Sequence, residues 1–204
     1  MRRPVFIARQ AERPTGLLGR ALAAIMAVET RSINDEVLRH LAIAPGERIL
    51  EIGFGHGRTL ERAAKATAKA RFAGIDHAED MVAAVAGRAH RLVEAGRLEL
   101  RAGDSSALPW PDATFDGAYA VHTIYFWEDP GRHLAEVRRV LRPGGRLVLG
   151  FRERAPEVEA RVPAQIYHLR SCDEVLTLLT AAGLEPAASR GRGPGLWVVE
   201  ARRH

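Results

Sequence analysis

One cysteine, Cys172, stands among 204 residues. That excludes an intrachain disulfide and, with no cluster of cysteine and histidine around it, a structural zinc site. Lysine is nearly missing as well: Lys65 and Lys69 are the only two among 30 basic residues, and arginine supplies the rest. The arginines are scattered rather than clustered. A formal charge of +5 therefore gives no reason to expect a nucleic-acid partner, since net charge governs non-specific association and a binding face needs a patch. No apolar run approaches the roughly 20 residues needed to cross a bilayer, so no transmembrane segment is expected. The opening Met1-Arg2-Arg3-Pro4-Val5-Phe6 leads into neither an apolar core segment nor a small-residue cleavage site. No signal peptide is read there, and the expected compartment is cytoplasmic.

What is present is the composition of an ordinary globular chain, 47% hydrophobic and 27% charged, long enough for one domain with a sizeable core. From Ile49 to Gly150 short aliphatic runs alternate with helical patterns, as parallel βαβ units do. Ile49–Ile52, Arg71–Asp76, Leu98–Ala102, Phe115–Val121 and Arg146–Gly150 read as strands. Between them Arg58–Lys69 is alanine-rich and helical, and Met81, Val82, Val85, Ala89, Leu92 and Val93 recur as one helical stripe. Leu134, Val137 and Leu141 mark a further helix, stopped by Arg142-Pro143-Gly144-Gly145. Ser171-Cys172-Asp173-Glu174 has the form of a capping box. Strands near Leu184–Ala188 and Leu196–Ala201 would close the sheet as an antiparallel hairpin. Two helices come first, carrying the stripes Leu18, Leu22, Ile25, Met26 and Ile33, Val37, Leu41. The expected organisation is residues 1–44 as helices covering a ligand cleft and residues 45–204 as an α/β core, all in one structural domain.

Glu51-Ile52-Gly53-Phe54-Gly55-His56-Gly57 lies between a strand and a helix, where a ligand meets the carboxyl edge of a parallel sheet. Glycines there let a ligand approach the backbone, and three alternating glycines exceed the needs of a tight turn. A dinucleotide fingerprint wants its third glycine where Arg58 stands, so the Gly-x-Gly-x-Gly spacing fits that pattern poorly. Asp76 ends the second strand, where a carboxylate can accept ribose hydroxyls. Asp104 ends the third strand before Ser105, where it either caps a turn or accepts from an adenine amino group. The three strand ends together are more specific than any one of them.

These elements, with Leu108-Pro-Trp-Pro-Asp-Ala-Thr-Phe-Asp116 and Leu134-Ala-Glu-Val-Arg-Arg-Val-Leu-Arg-Pro-Gly-Gly145, resemble class I S-adenosylmethionine-dependent methyltransferases of the ubiquinone/menaquinone-methyltransferase-like group. The resemblance covers roughly residues 45–150. It implies an α/β, Rossmann-like sandwich with a mostly parallel seven-stranded sheet, a C-terminal antiparallel hairpin and helices on both faces. It also implies transfer of a methyl group from S-adenosyl-L-methionine, leaving S-adenosyl-L-homocysteine, to a small-molecule acceptor. By the same resemblance Glu51, Gly53, Phe54, Gly55 and Gly57 would hold the methionine part. Asp76 would take the ribose, with His77 adjacent, and Met81 could border the adenine. Asp104 and Ser105 would address the adenine edge, and the Val121 backbone would face the methionine amine. The departures from the family's pattern are His77, Ala78 in place of a helix-capping hydroxyl, and His122.

Methyl transfer is an in-line displacement that mainly needs alignment, and a base only when the nucleophile arrives protonated. His122 and Tyr125 are the candidate catalytic residues, with Trp127 beside them; His122 is weighed as general base against positioning residue. The aromatic residues could equally form a pocket wall. The acceptor is expected to enter between the N-terminal helices and the connection from Phe151 to Arg170, where Tyr167 and His168 either line the site or sit in a solvated loop. A non-catalytic cofactor-binding protein and a nicotinamide-dependent oxidoreductase are the alternatives. A nucleic-acid methyltransferase would show Asn/Asp-Pro-Pro-aromatic after the fourth strand, and Val121-His122-Thr123-Ile124 is not that.

Overall fold

The computed structural model describes residues 4–13, 15, 16, 19, 30–191 and 193–204. The expected stripe Leu18, Leu22, Ile25 and Met26 lies outside them. Among the described residues seven strands form one sheet: β1 (Arg48–Ile52), β2 (Arg71–Asp76), β3 (Leu98–Ala102), β4 (Phe115–Val121), β5 (Leu141–Arg152), β6 (Leu184–Arg190) and β7 (Leu196–Arg203), in the order β3-β2-β1-β4-β5-β7-β6. The first five are parallel, and β7 and β6 run antiparallel at one edge. After β1 the chain winds outward through β2 to β3, then returns to β4 on the other side of β1. That reversal leaves a crevice beyond the carboxyl ends of β1 and β4, the place where open α/β sheets bind ligands.

Helices cover both faces: α1 (Val5–Glu12), α2 (Arg31–Leu41), α3 (Arg58–Ala66), α4 (Glu79–Arg88), α5 (His90–Glu94), α6 (Pro130–Val140), α7 (Pro156–Glu159) and α8 (Cys172–Ala181). The two-residue period of the strands sorts the core into two layers. Leu50, Ile52, Ala118, Leu147 and Leu149 pack with Leu134 and Val137 of α6 and Val175 and Leu179 of α8. Ile49, Phe72, Tyr119 and Val148 pack on the opposite face with Ile33 and Val37 of α2, Leu60 of α3 and Val85 of α4. Ser171 caps α8 as expected, accepting from the Glu174 N–H while the Glu174 carboxylate accepts from the Ser171 N–H at 2.7 Å.

The elements differ from expectation in two places. The stripe from Met81 to Val93 is two helices rather than one, because the backbone leaves helical geometry at Ala89 (φ −100°, ψ 18°), and Val93 is left exposed. The Arg142–Gly145 stretch does not simply end a helix. Helix α6 stops at Val140, Leu141 already pairs with Phe115, and the Pro-Gly-Gly segment bulges out of the ladder before Arg146 pairs with Gly117.

Gly150 on β5 is the point of closest approach for α2. A Cβ built there would stand 2.6 Å from Val37 Cγ2 and 3.1 Å from Ile33 Cγ1. Gly150→Ala should therefore overpack this layer and cost about 1–3 kcal/mol of stability, measured by urea unfolding. An unchanged midpoint would show that α2 is free to lift off the sheet.

Candidate active site

The three loop glycines all hold left-handed backbone: φ is 69° at Gly53, 49° at Gly55 and 67° at Gly57. Two are also sterically required. A Cβ at Gly53 would meet Thr123 Oγ1 at 2.6 Å, and one at Gly57 would meet the Val85 methyls at 2.7 Å. At Gly55 there is nothing within 4 Å, so this residue opens onto the crevice. Asp76, at the end of β2, reaches across to the loop. Its Oδ2 accepts from the Gly55 N–H at 2.7 Å, and its Oδ1 accepts from the Ala78 N–H at 2.9 Å. Burial pushes its carboxyl up against these two donors. Glu51 is buried at the end of β1 and accepts from the Tyr119 hydroxyl at 2.6 Å. Burial, and then the neighbouring Asp76 charge, push the Glu51 carboxyl up to about 8.

A cavity of about 1350 Å³ starts at this loop and runs past the end of β4. That exceeds the roughly 300–1,000 Å³ usual for one ligand and leaves room for two side by side. One end holds Gly53, Gly55, Asp76, His77, Asp104, Ser105 and His133. There the Ser105 hydroxyl lies 2.8 Å from His133 Nδ1, and the His133 ring stacks on Trp127 at 4.8 Å between centroids. The other end is aromatic. Phe126 and Tyr167 approach to 5.1 Å, and Tyr125 lies against both. His122 lines the cavity beside Tyr125 in left-handed backbone (φ 56°), its N–H bonded to the Gly150 carbonyl at 2.8 Å.

The family model described as a methyltransferase domain matches residues 50–149. An O-methyltransferase of Aspergillus nomiae is 30% identical over 165 residues, 78% of this chain and 73% of its own length. The 27-O-demethylrifamycin SV methyltransferase of Amycolatopsis mediterranei is 32% identical over 78% of this chain and 62% of its own. A solved structure of a S-adenosylmethionine-dependent methyltransferase from Aquifex aeolicus superposes with a TM-score of 0.73 at 22% identity, covering 89% of this chain and 97% of that one. This chain belongs to the class I S-adenosylmethionine-dependent methyltransferases. It spans about three fifths of the length of several of the curated relatives it matches.

The cofactor of this methyltransferase family fits the residues present. Two buried carboxylates, Glu51 and Asp76, take part in no ion pair among the described residues, as suits a ligand bringing fixed positive charge. No cluster of metal-ligating residues occurs among the described residues. Glu51, Gly53, Phe54, Gly55, Asp76, His77, Asp104, Ser105 and Val121 all line the cavity. Two residues expected at the cofactor, Met81 and Gly57, do not line the cavity. Met81 is buried against Ala78, and Gly57 is backed by the Val85 methyls. Asp104, which lines the cavity, is exposed and its Oδ1 accepts from the Ser106 N–H at 2.7 Å, so it also serves as the turn cap weighed from the sequence.

The catalytic candidates also change character in this methyltransferase. Tyr125 is buried, and its hydroxyl is held by the Arg152 N–H and by His122 Nδ1. Burial pushes the phenol up, so it is no base. Burial, and then Arg152, hold the His122 ring down at about 4, which keeps it neutral. Tyr167 is buried and lines the aromatic end, whereas His168 faces away and gives its N–H to the Tyr125 carbonyl at 2.8 Å. His133 was missed, since a histidine inside an amphipathic helix carries no mark of what lies opposite it. Thr123, which closes on Gly53, was missed for the same reason.

Glu51 supplies a test of this electrostatic arrangement. Its folded value of about 8 lies above the ordinary 4.5. The stability it contributes is therefore full below 4.5 and is lost as pH rises towards 8. Glu51→Gln keeps an acceptor for Tyr119 but cannot ionise. Its melting temperature relative to the parent should rise between pH 5 and pH 9, by several degrees, with weaker cofactor binding. A difference that stays flat with pH would show that Glu51 is ionised throughout.

Proposed function

We propose that this chain transfers the methyl group of S-adenosylmethionine to an oxygen of a small-molecule acceptor. The observation that carries the reading is the single cavity joining the Gly53–Gly57 loop and Asp76 to the aromatic chamber of Phe126 and Tyr167. When bound, S-adenosylmethionine supplies an electrophilic methyl carried on a sulfonium sulfur. Asp76, pinned by Gly55 and Ala78, would accept the ribose hydroxyls with its remaining lone pairs. Glu51 and the Val121 carbonyl would face the methionine ammonium, and the Gly55 backbone, open to the crevice, would lie along the methionine chain. Ser105, with His133 behind it, would meet the adenine edge. The aromatic rings would hold an apolar acceptor body and exclude water, so that binding supplies most of the alignment an in-line displacement needs.

The oxygen acceptor is supported by the relatives named as O-methyltransferases, beside a relative named as a methyltransferase of 27-O-demethylrifamycin SV. The helix α1 lines the mouth through Ile7 and Ala11, which supports a covering role for residues 1–44. A reducing, cytoplasmic setting suits the single buried Cys172. No helix among the described residues is long and apolar enough to cross a membrane. The oxidoreductase alternative is disfavoured by Arg58, which stands where a dinucleotide fingerprint wants its third glycine.

Calorimetry tests the cofactor half directly. S-adenosylmethionine and S-adenosylhomocysteine should bind, and NAD should bind far more weakly. Asp76→Ala should lower cofactor affinity by about 1–3 kcal/mol, the range for losing hydrogen bonds to a charged group. Tight NAD binding, or an unchanged Kd in a folded Asp76→Ala protein, would remove this assignment.

A further inference from the structure

The hydrogen-bond relay at the end of β4 fixes which nitrogen of His122 carries the proton. The Tyr125 hydroxyl accepts from the Arg152 N–H. Its own single proton then needs an acceptor, and His122 Nδ1, at 2.9 Å, is the one in reach among the described residues. An imidazole whose Nδ1 accepts carries its proton on Nε2 when neutral. Nε2 has no partner among the described residues, and the His122 ring lines the cavity. The relay is rigid at both ends. Arg152 lies in β5, while Arg170 holds the turn bearing Tyr125 through the Ile124 and Trp127 carbonyls, both at 2.8 Å. The cavity is therefore offered a fixed N–H donor where a general base would need a free lone pair.

We propose that the acceptor is an oxygen acid that enters as its anion, a carboxylate or a phenol or enol acidified by conjugation, and that His122 is a positioning residue donating Nε2–H to that oxygen. The proposal rests on the methyl-transfer reading and deepens it. The acceptor loses its proton to solvent before binding. Its oxygen lone pair then forms the bond to the methyl carbon as the carbon–sulfur bond breaks. The acceptor's negative charge cancels the sulfonium charge, and no proton remains for the protein to remove. A neutral alcohol would need a lone pair to take its proton, and His122 offers an N–H there instead. Net charge does not make the selection: Arg13, Arg152 and Arg161 line the cavity, but so do Glu12, Glu153 and Glu157. The selecting feature is the donor and its fixed direction.

Three measurements on the full chain test this. Ring nitrogen NMR with S-adenosylhomocysteine bound should find His122 as the neutral Nε2–H form from pH 6 to 8. An Nδ1–H tautomer or an imidazolium there overturns the proposal. Methyl-labelled cofactor should then be offered with three probes: 4-nitrophenol, cinnamic acid and cinnamyl alcohol. Methyl transfer to one or both acids and not to the alcohol is expected, and the reactive acid identifies the anion type. Comparable transfer to the alcohol, or none to either acid, overturns it. With the reactive acid, His122→Ala should raise KM about 10–100-fold and change kcat little, and His122→Gln, which restores an N–H donor, should recover much of the loss. A kcat loss of about 10²–10⁴-fold at unchanged KM would make His122 the base and end the proposal. Binding of S-adenosylhomocysteine, measured separately, should persist in each variant. Its absence from the parent protein would instead strike the methyl-transfer reading itself.

Discussion

The Asp76 carboxylate holds the site together. Its two oxygens take the N–H groups of Gly55 and Ala78, so one buried side chain ties the loop after β1 to the turn after β2. The loop can take that shape only because three glycines adopt left-handed backbone, and Thr123 and Val85 then fill the space where two of their side chains would be. Without Asp76 the Gly55 N–H would be left to the crevice and the cavity would lose its floor. The cost is a carboxylate kept out of water. Two N–H donors offset part of it, and a cationic ligand is suited to offset more.

The arginines, too scattered to form a binding face, act as internal braces. Arg139 bonds the carbonyls of Leu108 and Trp110 together with Asp112 and Glu136, and Glu136 in turn accepts from the Leu108 N–H. The Leu-Pro-Trp-Pro-Asp segment is thereby fastened to α6, and the end of β3 with Ser105 is held at the cavity. Arg146 grips Glu47 with two bonds, at 2.7 and 2.9 Å, and joins the end of α2 to β5. Arg203 collects the carbonyls that α6 leaves unpaired at its end. A planar guanidinium presents five N–H donors in a fixed fork, which suits it to bracing several carbonyls and carboxylates at once.

Burial sets the titration of Glu51, His122 and Tyr125, which line the cavity. Glu51 is pushed up and His122 down, each towards its neutral form, and Tyr125 is held protonated. His122 and Tyr125 thus stay neutral across neutral pH, and Glu51 ionises only as the pH approaches 8. Such a surface suits a reaction whose charges come from the cofactor and the acceptor, where the protein aligns them and excludes water.

The order of strands, the glycine loop, Asp76 and the hairpin were legible in the sequence because each rests on local rules: a period of two, a positive φ, a cap, a breaker. The glycines Gly53, Gly55 and Gly57 announce a backbone that no other residue adopts easily, and Ser171 with Glu174 announces a helix start. Contacts between distant segments leave no such local mark. The His133 stack on Trp127, Thr123 closing on Gly53, Met81 buried against Ala78 and the split of the helix at Ala89 all depend on what packs opposite. His122 shows the division most sharply. Its place after β4 could be read from the sequence, and so could its capacity to act as a base. Whether it offers a proton or a lone pair was decided only when the fold brought Arg152, 30 residues later, onto the Tyr125 hydroxyl. A histidine tautomer is set by its hydrogen-bond partners, and those partners are chosen by the tertiary structure.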